Sequence, residues 1–268
     1  MRILNIVISV AAGLLLTSCG EYVKVQKSTD FNYKYDYAKR AFEQKKYVQA
    51  ATLFKDCATV FKATDKAEEC LYLLAMSNYE NNDYVSSGAY FQTYYQRYPK
   101  GKFAEPARFF AGYGYYLDSP EAQLDQTTTI KAIEELQAFL DYFPRSEKVP
   151  IAQNAIFELQ DKLTLKQLQN AQLYYNLGNY MGNNYESAVI VAKNAIKDYP
   201  YSKYKEDLEL LVLKARFQEA ENSVDERKAD RYREVIDEYY SFINNYPDSP
   251  NKNEADNIFK ISSRHVQP

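Results

Sequence analysis

Few side chains in this sequence have the type and spacing that catalysis or metal binding requires. The one histidine, His265, lies near the end of the 268-residue chain and outside any cluster, so a nucleophile–histidine pair would have to be built on that tail. No set of histidine, cysteine and carboxylate residues has the spacing of metal ligands. Gly112-Tyr113-Gly114 lacks the third glycine and the preceding strand of a dinucleotide fold, so it predicts close helix packing instead. We therefore expect no catalytic residue, no metal site and no enzyme activity.

The first of the three cysteines predicts a lipid anchor. Ile3–Leu16 is an apolar run after Arg2, too short for the ~20 residues of a membrane-spanning helix and typical of an export signal. Leu16-Thr17-Ser18-Cys19, followed by Gly20, resembles a bacterial lipobox. The resemblance implies that a signal peptidase cleaves before Cys19 and that Cys19 then carries an N-acyl diacylglycerol lipid (palmitate). Apart from this covalent lipid, we expect no cofactor. The absence of Asp at position 20 favours the outer membrane. The alternative is an ordinary secretory signal with a chance cysteine.

The next residues predict a linker. Glu21–Asp30 is polar and has no helical period, and Asp30 suits a helix N-cap. We expect a signal peptide over 1–18, a flexible lipidated tether over 19–30 and a repeat domain over 31–268.

The repeat domain is indicated by a pattern that recurs at a fixed offset. The stretch Tyr79–Phe91 aligns with Phe42–Phe54 at an offset of 37 positions. Both stretches contain an aromatic residue, a polar turn, Tyr-Val, a small residue and Phe in the same order. Such an offset indicates helical hairpins that bury their apolar faces only by stacking. We predict an all-α protein, an α-solenoid of about five tetratricopeptide-like hairpins with a C-terminal capping helix.

Particular positions of each hairpin should pack closely. Small residues at 38, 50, 75 and 87 let helices approach, and Phe54 and Phe91 fill the space beside them. Aromatic–Pro pairs at 98, 143, 199 and 246 should end helices because proline cannot continue them. We expect a loop over Asp118–Thr129, one long or two kinked helices from Val149 to about Tyr180, a charged loop after Glu221 and a last helix over Lys252–Ser263.

The two remaining cysteines belong to adjoining helices of the predicted stack. Cys57 and Cys70 are predicted either to form a disulfide in an oxidising periplasm or to be two small buried residues.

A partner would bind the wall formed by the first helix of each hairpin. Counting from Ala38 and Ala75, the inward positions form an aromatic groove for a partner or peptide, although a stripe of rings at this spacing also suits a core. The predicted groove residues are Tyr35, Lys39, Phe42, Tyr72, Met76 and Tyr79.

Charge gives no indication of a nucleic-acid partner. The formal net charge is −3, and it becomes more negative once Arg2 leaves with the leader. Binding of phosphates requires a basic face, and no Lys/Arg cluster stands out.

The lipobox, the five repeat units and the insertion Leu124-Asp125-Gln126-Thr127 together resemble the BamD family, the lipoproteins of the outer-membrane β-barrel assembly machinery. The likeness extends from about Asp30 to Ser263, with Tyr98–Glu105 and Tyr199–Ser202 as its most specific stretches. It implies a binding protein held by lipid on the periplasmic face of the outer membrane. C-terminal repeats would dock a BamA-type barrel subunit, N-terminal repeats would meet unfolded outer-membrane proteins, and further assembly lipoproteins would join.

Two other functions fit the same features. A pilotin of a secretion or pilus system is also a lipidated repeat protein, as is a glycan-capturing lipoprotein of a nutrient-uptake system. The second is disfavoured because sugar platforms favour tryptophan, which this chain lacks.

Overall fold

The computed structural model describes residues 20–62, 64 and 66–266. Helices joined by turns and loops make up this part, with no strand among these residues. The signal peptide and Cys19 lie outside the described residues. Residues 20–27 are called α1. The other helices are α2 (Phe31–Glu43), α3 (Tyr47–Val60), α4 (Lys66–Glu80), α5 (Tyr84–Arg97), α6 (Ala104–Leu117), α7 (Thr127–Tyr142), α8 (Val149–Leu177), α9 (Asn184–Asp198), α10 (Lys205–Glu221), α11 (Asp225–Asn245) and α12 (Lys252–Arg264).

The chain divides into two compact units. Unit 1 contains the described residues up to Ser119 together with Thr127–Ile156, and unit 2 contains Pro120–Gln126 together with the residues from Phe157 onward. Helix α8 begins in unit 1 and continues in unit 2.

Unit 1 is a stack of helical hairpins. Each helix from α2 to α6 packs on the next along the chain, which confirms the predicted hairpins. The small residues Ala38, Ala50 and Ala75 are fully buried, and so are the Phe54 and Phe91 rings that fill the adjacent space. Burial of one such ring contributes about 1.5–3 kcal/mol, so the repeated small–large pattern stabilises each hairpin of the stack.

The predicted tether is wrong for residues 20–27, which are helical. Val25 is fully buried in the core of unit 1. Tyr22, Val23 and Val25 are too few and too closely spaced to give a helical period, so the sequence pattern did not indicate this contact. Asp30 is the N-cap of α2, as predicted, and its side chain accepts hydrogen bonds from two backbone N–H groups of the first turn at 3.0 and 3.1 Å.

The aromatic–Pro pairs end helices, as predicted. In each pair the aromatic residue follows the last helical residue and donates its backbone N–H to the carbonyl oxygen four residues earlier. These bonds are Tyr98 to Tyr94 at 2.8 Å and Phe143 to Phe139, Tyr199 to Ala195 and Tyr246 to Phe242 at 2.9 Å.

A serine three residues after three of these aromatics joins the turn to an earlier helix. Its hydroxyl donates a 2.6 Å hydrogen bond to a carboxylate of a helix about 40 residues back: α6, α8 or α10. The bond therefore ties each turn to the helix that precedes the one it ends. The pairs are Ser146 with Glu105, Ser202 with Asp161 and Ser249 with Glu206.

Gly112 is a point of close helix approach in unit 1. A Cβ atom added there would lie 2.8 Å from the backbone nitrogen of Leu136 on α7. At Gly114 the nearest atoms to an added Cβ lie 3.5 Å away or more, which is ordinary contact. The close helix packing predicted for this glycine pair is therefore found at Gly112 but not at Gly114.

The insertion after α6 is shorter than predicted, because α7 begins at Thr127. Within unit 2, the Gln126 amide donates to the carbonyl oxygens of Glu121 and Leu124 at 2.8 and 3.1 Å. Lys166 Nζ donates to the Leu124 carbonyl oxygen at 2.7 Å. These bonds give the loop a defined conformation.

The helices from α8 onward correct one prediction and confirm two. The charged segment after Glu221 is a loop only as far as Val224, because α11 starts at Asp225. The first turns of α11 are charged because they bury only one residue, Tyr232. Helix α8 is a single 29-residue helix. Helix α12 packs on α11 and buries Ala255 and Ile258, as expected of a capping helix.

None of the described helices is both long enough and apolar enough to cross a membrane.

Candidate partner-binding surface

The predicted groove residues lie on α2 and α4 of unit 1, and Glu69 joins the two helices. Glu69 accepts a 2.6 Å hydrogen bond from the Tyr35 hydroxyl and a 2.8 Å hydrogen bond from Lys39 Nζ. We call Glu69 together with the six predicted residues the α2–α4 surface.

Tyr35 does not line an open groove, contrary to the prediction. Only 6% of the residue is exposed, and its ring packs edge-on against Phe54 and Phe61 with centroids 6.3 and 6.2 Å apart. Burial and the hydrogen bond to Glu69 raise the pKa of the Tyr35 hydroxyl well above its ordinary value. Its hydroxyl therefore helps to hold Glu69 in place.

Lys39 is the most accessible charge of this surface, with 41% of its side chain exposed. The hydrogen bond to Glu69 raises the pKa of Lys39. Burial alone would raise the pKa of Glu69, but the bonds from Lys39 and Tyr35 outweigh it, so its pKa lies below the ordinary value. The pair is thus ionised at neutral pH.

Lys66 adds a second cation close to the same rings. Its Nζ lies 5.0 Å from the Tyr35 ring centroid and 5.6 Å from that of Phe61, within the range of cation–π attraction. It also donates a 2.7 Å hydrogen bond to Asn32 Oδ1. The N-terminal end of the surface therefore combines two lysines with one carboxylate and aromatic walls.

The rings of α4 are half-buried and contact one another as well as neighbouring helices. Tyr72 stacks on Phe103 with centroids 4.3 Å apart and an interplanar angle of 9°. Tyr79 meets Phe110 edge-on at 5.0 Å. Burial raises the pKa of Tyr72 to about 12, so its hydroxyl stays protonated at neutral pH. Each ring keeps one exposed portion, which suits contact with an apolar side chain of a partner.

Phe42 and Met76 complete the predicted set. Both are half-buried at the edge of the unit 1 core, and the Phe42 ring meets Tyr47 edge-on at 5.6 Å. Methionine adapts its shape to irregular partners because its side chain is unbranched and flexible.

Glu69 and Lys66 were missed by the sequence prediction. Glu69 lies three residues before Tyr72, so it belongs to the same helical face one turn earlier. Extending the count by one turn would have found it.

Cys57 and Cys70 are fully buried free thiols on α3 and α4, and the Cys57 thiol donates to the Phe31 carbonyl oxygen at 3.7 Å. The neighbouring Cys57 thiol and burial raise the pKa of the Cys70 thiol far above its ordinary value. Of the two predicted roles, this geometry favours two small core residues.

His265, the one histidine, packs its ring flat on Tyr232 with centroids 4.2 Å apart. It follows the last helical residue of α12, where it helps to hold the end of the chain on α11. Among the described residues, no group of three or more histidine, cysteine or acidic residues is placed to hold a metal ion.

Comparison with protein families gives a match over residues 28–183 to the family described as "YfiO: Outer membrane lipoprotein". This range covers more than half of the 268 residues. No curated protein matches. Nineteen chains of solved structures match. One of them is described as "TPR2AB-domain:pHSP90-complex of yeast Sti1"; it has 13% sequence identity and a TM-score of 0.40, and the match covers 88% of this chain and 98% of that one.

Proposed function

The chain belongs to the YfiO family of outer membrane lipoproteins, and from this we propose that it is a scaffold subunit of the machinery that assembles β-barrel proteins in the outer membrane. In this function it docks a BamA-type barrel subunit, works beside other assembly lipoproteins and meets unfolded outer-membrane proteins in the periplasm. The family match is the observation that carries the proposal.

Anchoring by lipid at Cys19 is part of the proposal. The Leu16–Cys19 motif supports it, because its position after an apolar export signal fits cleavage just before the cysteine. A diacylglycerol together with an N-acyl chain supplies more than one lipid chain, which is what stable anchoring requires. Mass spectrometry of the N-terminal peptide of the mature chain should find the lipid on Cys19.

A scaffold acts through binding surfaces, and the α2–α4 surface supports this mode of action. Lys39 offers an accessible cation, while Met76, Tyr72 and Tyr79 offer half-buried apolar area next to it. An unfolded outer-membrane protein exposes apolar side chains at alternate positions, together with occasional charges. The surface is complementary to such a segment without any reactive group.

The first test is purification of the chain from detergent-solubilised membranes. We expect a barrel protein with repeated periplasmic domains to copurify with it. Recovery of the intact lipoprotein without any barrel protein would contradict the proposed function.

The second test locates the substrate. A photo-reactive amino acid at Met76 should cross-link unfolded barrel proteins, whereas one at Val85, an exposed residue of α5, should not. Equal cross-linking from both positions would contradict a role for the α2–α4 surface.

A further inference from the structure

Unit 2 contains a groove of about 520 Å³ between α8 and α10. Leucines from both helices line it: Leu168 and Leu173 on α8, and Leu210 and Leu211 on α10. Leu173 is 58% exposed, so the groove leaves apolar surface open to a ligand.

Amide side chains alternate with these leucines along α8. Gln169, Gln172 and Asn176 all line the groove. The Gln172 amide nitrogen donates a 2.9 Å hydrogen bond to Asn176 Oδ1. This bond fixes the orientation of both side-chain amides. The side-chain oxygen of Gln172 then remains as an acceptor for a ligand, and the side-chain nitrogen of Asn176 remains as a donor. An acceptor beside a donor is the pattern that a peptide main chain, with its own N–H and C=O groups, complements.

The spacing of these amides also matches an extended chain. Gln172 and Asn176 are four residues apart on a helix, which corresponds to a rise of about 6 Å. An extended polypeptide repeats its main-chain groups on one side every two residues, or about 6.6 Å. Successive peptide groups on one side of an extended chain can therefore reach successive amides of α8.

The charge pattern of α8 indicates the kind of segment that would bind. No charged residue occurs between Lys166 and Glu186, in a chain of which 26% is charged. Across the groove, α10 supplies one acid, Asp207, and one base, Lys214; Lys214 Nζ also pairs at 2.8 Å with Glu254, which does not line the groove. The lining residues thus carry one charge of each sign, which gives little attraction for a strongly charged ligand.

We infer that this groove binds an uncharged, extended polypeptide segment, with the α8 amides pairing to its main chain and the leucines contacting its apolar side chains. This is a binding site separate from the α2–α4 surface, and it does not depend on the proposed function. A neutral oligosaccharide is the main competitor, but the residues that line the groove include no aromatic ring on which a sugar could stack.

The test measures binding to the purified full-length mature chain by fluorescence anisotropy. The probe is a short labelled peptide, capped at both ends, in which leucine and serine alternate. The matched probe carries N-methyl groups on alternate peptide nitrogens, so it keeps the side chains but loses main-chain donors. We expect the parent peptide to bind, the methylated peptide to bind about tenfold more weakly, and neither affinity to change with salt.

Variants locate the site. Gln172→Leu should weaken binding of the parent peptide about tenfold, because it removes the acceptor while the position stays exposed and tolerant of change. Leu173→Ser should also weaken it. Asn170→Leu, an exposed change on the same helix outside the groove, is the control and should bind like the parent chain.

Three outcomes would overturn the inference. They are no binding of the parent peptide, equal binding of the two peptides, and displacement of the parent peptide by a neutral oligosaccharide. Because no membrane or barrel protein is present, such a failure would leave the copurification test of the proposed function unaffected.

Discussion

The Ser202 hydroxyl donates a 2.6 Å hydrogen bond to Asp161 Oδ1, 41 residues earlier in the chain. The Lys203 backbone N–H donates to the same oxygen at 3.1 Å. The bond ties the turn after α9 to α8, and the same arrangement recurs at two other aromatic–Pro turns.

Ser202→Ala should therefore destabilise unit 2. A hydrogen bond to a charged acceptor contributes about 1.5–3 kcal/mol to stability. Because Asp161 is partly exposed, we expect the free energy of unfolding to fall by about 1–2 kcal/mol. Urea unfolding measures this change. Ser241→Ala, at an exposed position of α11, is the control and should leave the midpoint unchanged.

The glycine pair of α6 gives a prediction with a built-in control. Gly112→Ala should destabilise unit 1 by about 1–3 kcal/mol, because the new Cβ would lie 2.8 Å from the Leu136 backbone nitrogen. Gly114→Ala meets only ordinary contacts and gains helix propensity, so its stability should be equal or slightly higher. Thermal unfolding of both variants compares them. Equal effects would show that α6 and α7 are less closely packed than described.

A buried carboxylate in unit 2 should make stability depend on pH. Glu219 is 4% exposed and accepts hydrogen bonds from Asn183 and Arg216, both at 2.8 Å. It also pairs with Arg231 at 3.3 Å. Burial alone would raise the pKa of Glu219, but the bonds from Asn183 and Arg216 outweigh it, so its pKa is lowered.

A lowered pKa means that Glu219 stabilises the fold at pH values above its unfolded pKa, and that this stabilisation is lost as pH falls through the folded pKa. Glu219→Gln should cost about 3 kcal/mol at pH 7. The difference from the parent chain should shrink below pH ~4. Glu226→Gln, exposed on α11, is the control. A difference that stays constant from pH 7 to pH 3 would contradict this assignment.

The two buried thiols predict a labelling pattern. Cys57 and Cys70 are fully buried and free, so an alkylating reagent should not modify them in the folded mature chain. After unfolding without reductant, both should be alkylated. Mass spectrometry that instead finds neither labelled, with a mass about 2 Da lower, would show that they form a disulfide.

The helices were predictable where the signal is local. Small residues and rings repeat at a fixed offset, and proline ends helices by its own geometry, so positions such as Ala50, Phe91 and Pro99 could be read directly. The start of α11 could not, because its charged turns are stabilised by pairs such as Lys228 with Asp225, three residues apart, rather than by an apolar stripe.

The helices that carry the predicted surface residues followed from the sequence, but the contacts of those residues did not. Helical spacing placed Lys39 and Met76 on the face shared by α2 and α4. It could not show that Tyr35 turns inward to bond Glu69, since that contact joins residues 34 positions apart. For the same reason the hydrogen bonds of the serines at three aromatic–Pro turns were not predicted.

Depletion of the chain from its own cells tests the central claim most directly. Folded barrel proteins resist unfolding in detergent until heated, so their amount in the outer membrane can be read by gel mobility. The account predicts that the folded barrel fraction falls as the chain is depleted and recovers when it is restored. Normal amounts of folded barrel proteins, with loss of pili or of glycan uptake instead, would contradict it.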